Sequence, residues 1–156
     1  MSDHARRHRA DLPLPLTERP TSDAPNTTVS DESVRRLVET FYDEALRDDL
    51  LAPVFERFVA DWTPHLSTMC RFWTSVALRR GGYAGRPLEV HRRIAAISPG
   101  HFERWLSLWR RTVERTLPAA DRALFIEPAE RMAAAMSSAM WRGGAGPSGG
   151  DQPALA

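Results

Sequence analysis

A chain of 156 residues with a formal net charge of +1 is long enough for one domain with a real core, and carries no charge excess to attract nucleic acid or an anionic membrane. Its one cysteine, Cys70, excludes an internal disulfide and fits a reducing compartment. No apolar run approaches the roughly 20 residues that span a bilayer, and the N-terminus lacks the apolar stretch of a secretory signal, so the expected setting is cytoplasmic.

Residues 1–28 place Pro13, Pro15, Pro20 and Pro25 among charges and small polar residues, with no lasting apolar period, and read as a disordered leader. Order is expected from residue 29. Ser30 is a good N-cap, followed by Asp31 and Glu32 where a helix dipole favours acids. Val34, Leu37, Val38, Phe41, Tyr42 and Ala45 then recur on one helical face. Tyr42 carries a hydroxyl into that apolar stripe, and a buried phenol needs a partner. Either a backbone carbonyl or a ligand in a cavity would serve.

Leu50 to Phe55 forms a short apolar corner, with Pro53 suited to the first turn of a brief helix. Phe55 is either ordinary core or a ring that stacks on a flat apolar surface. The next helix starts near Asp61 and carries an inward stripe of Trp62, His65, Leu66, Met69, Phe72, Trp73 and Val76. A lone histidine on such a face, like the two tryptophans, is by default core. Arg79 and Arg80 in the last turn, then Gly81 and Gly82, should end this helix.

The stretch from Gly81 to His91 opens with a flexible turn, tightens at Gly85 and restarts a short helix at Pro87 that ends near His91. Arg92 and Arg93 follow, by default as solvated surface. Pro99 and Gly100 read as a turn, with His101 at the start of a helix bearing Phe102, Trp105, Leu106, Trp109 and Val113 inward. Pro118 stops it. Asp121 to Ile126 reads as a turn or short helix, with Pro128 kinking or restarting the chain. Met132, Ala133, Met136, Ala139, Met140 and Trp141 make a last apolar face suited to an irregular or flat body. Residues 143–156, rich in Gly and Pro, read as a disordered tail. The organised domain is therefore 29–142, all-α, without a β pattern or an internal repeat.

Several chemistries find no support. There is no P-loop, no dinucleotide-binding glycine fingerprint, no nucleophile elbow and no zinc-cysteine cluster. What remains is a set of polar and aromatic residues in a helical domain: Tyr42, Phe55, His65, Trp73, His91 and Trp105.

The order Phe41-Tyr42, Trp62-x-x-His65-x-x-x-Met69, Phe72-Trp73, Tyr83-x-Gly85-x-Pro87-x-x-x-His91 and His101-Phe102-x-x-Trp105-Leu106 resembles the truncated haemoglobins, and specifically their third group. The likeness covers roughly residues 30–141. Trp109 stands where that family more often has Phe, and both tails are extensions. The resemblance implies a globin-like two-over-two helical sandwich around haem b, with His91 as the proximal ligand of the iron. It implies a distal pocket of Tyr42, His65 and Trp105 and a porphyrin-packing Phe55. It also implies further haem contacts from Met69, Trp73 and Tyr83, and propionate pairing by Arg92 or Arg93. The distal donors would retain a polarised diatomic ligand. A hydrogen bond to a charged acceptor is worth roughly 1.5–3 kcal/mol, so O₂ release should be slow, with CO and NO as further ligands. His65 either gates the pocket or binds iron. The function implied is gas binding by a monomer or weak dimer, with possible NO, peroxide or nitrite chemistry. Two alternatives stand beside it: a peroxidase-like or NO-detoxifying enzyme served by a reductase, and a haem-free helical interaction domain.

Overall fold

The computed structural model describes residues 24–141. Of the leader read as residues 1–28, the part up to residue 23 lies outside these, as does the tail read at 143–156. Six α-helices follow in order: α1 (Asp31–Ala45), α2 (Ala52–Phe58), α3 (Trp62–Leu78), α4 (Pro87–Arg92), α5 (Pro99–Thr116) and α6 (Arg122–Trp141), with a 3₁₀ turn at Ala119–Asp121. No strand occurs among the described residues, and none of the described helices is long and apolar enough to cross a membrane.

Helix α1 begins where the sequence indicates. The Ser30 side chain accepts the Ser33 N–H, and the buried face is Val34, Leu37, Val38, Phe41, Tyr42 and Ala45. Asp61 caps α3 by accepting from the Thr63 N–H. Helix α1 packs against α3 and α5, and α6 packs against α5 and α3, which makes a two-over-two sandwich of the four long helices. The short helices α2 and α4 lie between consecutive long ones in the chain.

Several local expectations are corrected. Val76 is exposed, and Ala77 and Leu78 turn inward instead, so the α3 stripe drifts by a residue at its end. The arginines lie just past α3 rather than in its last turn, and Arg79, not a glycine, takes the left-handed cap (φ 54°). Gly81 and Gly82 follow, also at positive φ, and complete the reversal. Pro99 and Gly100 form the first turn of α5 rather than a separate turn; proline suits that position because its missing N–H has no intrahelical partner to lose. The region read as a short helix up to a break at Pro128 is one helix, and Pro128 lies inside it. One hydrogen bond is forgone there, yet Phe125, Ala129, Ala133, Met136 and Met140 stay in phase on the buried face, so packing holds the helix through the proline. Ala139 is exposed.

The chain just before α1 is tied down. Thr27 Oγ1 and Thr28 Oγ1 donate to the two carboxylate oxygens of Asp121, at 2.5 and 3.0 Å. Asp121 is 4% exposed, so these hydroxyls satisfy a carboxylate with little access to water. At the same end of α1, Arg80 donates to Asp31 (3.2 Å) and to the Val29 carbonyl (3.4 Å), joining the end of α3 to the start of α1.

The apolar interior is in two parts. The larger cluster joins α1, α3, α5 and the first half of α6 around Phe41, Trp73, Trp109 and Phe125. The smaller holds Phe58, Ile94, Ile97, Phe102, Met136 and Met140. Residues of both line the same cavity.

Candidate functional site

That cavity has a volume of about 1290 Å³, counting all space outside atoms including its open mouth. Every helix contributes to its wall. Phe41 and Tyr42 come from α1, Val54 and Phe55 from α2, His65, Met69, Phe72 and Trp73 from α3. Val90 and His91 come from α4, Phe102 and Trp105 from α5, Met132 and Met136 from α6. Protein interiors are otherwise close-packed, and an apolar void costs stability, so a wall of this kind suits an apolar occupant.

His91 reaches the wall from the last turn of α4. Its Nδ1 stands 2.7 Å from the Pro87 carbonyl, one helical turn back. A carbonyl only accepts, so Nδ1 carries the proton and donates it. In the neutral ring Nε2 then bears a lone pair. Burial lowers the imidazole pKa below its usual value, against an opposing effect of the Pro87 bond, which favours that neutral form. A histidine whose first nitrogen is fixed by a backbone carbonyl is the arrangement that prepares the second as a metal ligand. The tilted Phe102 ring, 5.9 Å away centroid to centroid, bounds it on one side.

The wall formed by α1, α2 and α3 carries a polar pair. Tyr42 Oη and His65 Nε2 are 3.0 Å apart, and both residues are buried. Tyr42 thus meets a side chain, His65, where the sequence reading named a backbone carbonyl as one partner. The Tyr42 ring stands edge-on to Phe55 (5.3 Å), Trp62 (5.5 Å) and Phe41 (5.1 Å). Burial, and secondarily the Cys70 thiol, raises the Tyr42 pKa, so the phenol keeps its proton. Burial lowers that of His65, with repulsion from His91 as a second cause, so both imidazoles favour the neutral form.

Trp105 belongs to a different group. It stacks on Trp73 (6.4 Å, 14°) and Trp109 (6.0 Å, 4°), and Trp73 and Trp109 stack at 4.1 Å. The Trp109 indole N–H donates to the Phe125 carbonyl at 3.1 Å. Phe41 touches both groups edge-on, Tyr42 at 5.1 Å and Trp105 at 6.0 Å. Tyr83 is held against Phe72 (5.0 Å) and lies over Gly85, where any Cβ would collide with its ring. This close approach is the reason for glycine there.

Of the residues singled out from sequence, Tyr42, Phe55, His65, Met69, Trp73, Tyr83, His91 and Trp105 line the cavity together. Arg92 and Arg93 do not. Both are exposed, and Arg92 donates to the Ala139 carbonyl at 3.1 Å. Sequence reasoning missed Ile94, Ile97, Thr68 and Val54 on the wall. The two isoleucines lie in the link between α4 and α5, where no period marks them. Among the described residues no group of three or more His, Cys, Asp or Glu could hold a metal ion. A metal in this cavity would need most of its ligands from its own cofactor, with one imidazole from the chain.

No family model matches the chain. Among curated proteins it is similar to a group 3 truncated hemoglobin of Campylobacter jejuni, at 25% identity over 121 residues, spanning 75% of this chain and 95% of the relative. Among solved structures it is similar to the crystal structure of the group III truncated hemoglobin from Campylobacter jejuni, with a TM-score of 0.69 and 25% identity, covering 75% of this chain and 95% of that one. In sequence and in fold, the chain is thus similar to group III truncated haemoglobins over most of its length.

Proposed function

We propose, with the truncated-haemoglobin likeness as premise, that the cavity binds haem b, that His91 would hold its iron, and that the protein binds diatomic gases. The observation that carries this reading is His91 on the cavity wall with Nδ1 held at 2.7 Å by the Pro87 carbonyl. A flat apolar macrocycle also fits a cavity bounded by two separate apolar clusters. When bound, haem would supply an iron able to take O₂, CO or NO.

The chain's own groups then divide the work. Pro87 fixes the His91 ring and its tautomer, so that Nε2 is free of a proton. Phe55, Met69, Phe72 and Phe102, apolar residues of the cavity wall, would keep water from the bound group. If His65 donates from Nε2 to the Tyr42 oxygen, the phenol proton remains to be given to a polarised ligand. His65 is read as the group that positions Tyr42 rather than as a second iron ligand, because its Nε2 is already engaged with Tyr42. The Trp105 indole N–H is the second donor of the distal pocket.

The experiment is spectroscopic. Purified protein loaded with haem should show a ferrous histidine-ligated spectrum that changes with O₂ and with CO. His91→Gly should lose stable haem and regain it with added imidazole. A normal histidine-ligated spectrum in His91→Gly without imidazole would remove His91 from the proximal position.

A further inference from the structure

Haem b is apolar over most of its surface but carries two propionates on one edge, and carboxylates need donors where that edge meets water. The arginines that the sequence suggested for this, Arg92 and Arg93, are not on the cavity wall. No arginine or lysine is among the described lining residues, and the titratable ones are Tyr42, His65, Tyr83, His91 and His101. Tyr42 and His65 bond each other, and His91 gives Nδ1 to Pro87. Tyr83 is folded back over Gly85.

His101 differs from all of these in how its proton is placed. It occupies the first turn of α5, and its Nδ1 accepts the backbone N–H of Ser98, the N-cap residue, at 3.1 Å. Ser98 Oγ lies 2.9 Å from the same nitrogen. A nitrogen that accepts a backbone N–H bears no proton, so the ring proton is on Nε2. The helix cap therefore leaves a fixed N–H donor on a half-buried ring that lines the cavity. His101 shares the cavity wall with Phe102, whose ring flanks His91.

We infer that His101 holds one carboxylate of the bound haem through Nε2–H. This rests on the function proposed above. The cap and the haem contact are then one device, with Nδ1 closing α5 and Nε2 meeting the propionate. The positive end of the α5 dipole adds to the attraction for an anion there.

The capping-box rule supplies a variant that separates the two roles. Glu or Gln at this helix position caps as well as His101 does. His101→Glu keeps the cap but sets a carboxylate against the propionate; His101→Gln keeps the cap and offers an amide donor. Haem release to a haem-scavenging protein is timed for the parent and both variants, each loaded with haem b or with its dimethyl ester, which lacks free carboxylates. The haem-free proteins are melted in parallel. His101→Glu should release haem about ten- to a hundredfold faster than the parent, and His101→Gln within about threefold. The gap between parent and His101→Glu should vanish with the ester, and the haem-free His101→Glu protein should melt no lower than the parent. Equal haem release from parent and His101→Glu, or equal acceleration with the ester, overturns the inference and leaves the haem-binding reading intact. A parent that binds neither haem nor ester overturns both. Should His101→Glu not fold, the parent alone decides: release of the ester at least about tenfold faster than haem supports a held propionate, and equal release refutes it.

Discussion

Replacing Tyr42 by Phe deletes one oxygen from the cavity wall, and two separate measurements should register it. The first is stability of the haem-free protein. Tyr42 is 8% exposed and His65 4% exposed, and their bond of 3.0 Å is shielded by Phe55 and Trp62. Phe preserves the edge-on ring contacts, so packing is retained while the buried imidazole nitrogen loses its partner. That loss costs about 1–3 kcal/mol, or roughly 4–12 °C in melting temperature for a domain of this size. The second measurement is gas release from the loaded protein. If the phenol proton reaches a polarised ligand, its removal forfeits about 1.5–3 kcal/mol, and O₂ should leave about ten- to a hundredfold faster. CO is less polarised and should respond less. Burial raises the phenol pKa, so the donor should persist into alkaline solution. Trp105→Phe should act in the same direction, and the double variant less than additively, because two donors share one ligand. Trp105 also stacks on Trp73 and Trp109, so haem content must be measured beside the stopped-flow rates. Unchanged O₂ release in all three variants would refute the distal pocket. A melting loss with unchanged release would reduce Tyr42 to a tether for His65.

Further outcomes follow from other parts of the structure. Burial lowers the pKa of His65 and His91 below 6.5, so on acidification the unfolded chain takes up protons first. Stability of the haem-free protein should therefore be fully present above that value and fall as the pH drops below it, and denaturant melts of His65→Gln should show a shallower fall; an identical pH slope would refute the assignment. A chain spanning residues 24–142 should be more stable than one spanning 29–142, by about 1–3 kcal/mol, because the shorter one leaves Asp121 without the Thr27 and Thr28 hydroxyls; equal melting temperatures would show those bonds to be without effect. Gly85→Ala should drive Tyr83 off the cavity wall and weaken haem binding, measured by haem titration; unaltered affinity would show that Tyr83 is not needed there.

The order and phase of the helices were legible because periodicity is a local property. Every residue assigned to the buried face of α1 is buried, and the caps at Ser30 and Asp61 stand where short polar side chains precede an apolar period. The Tyr-x-Gly-x-Pro segment likewise marked the short helix that presents His91, since proline starts it and glycine admits the tyrosine ring. The errors have a common physical source. Pro128 forbids one hydrogen bond locally, but the apolar face it shares with α5 and α3 outweighs that cost, and no local rule weighs it.

What the sequence by itself determined is the all-helical class, the two faces of each long helix, and the set of residues whose spacing resembles a haem pocket. What only the tertiary structure decided is which polar atoms meet. Tyr42 and His65 are 23 positions apart, and their bond depends on how α1 crosses α3. Trp105 joins an indole stack with Trp73 through the packing of α5 on the rest of the sandwich. Arg92 and Arg93 adjoin His91 in the chain, yet successive residues on a helix point about 100° apart, so they turn away from the cavity, and His101 stands on the wall instead. Periodicity tells which face is apolar, but hydrogen-bond partners are chosen by distances of a few tenths of an ångström between elements far apart in sequence, and those distances exist only once the helices have packed.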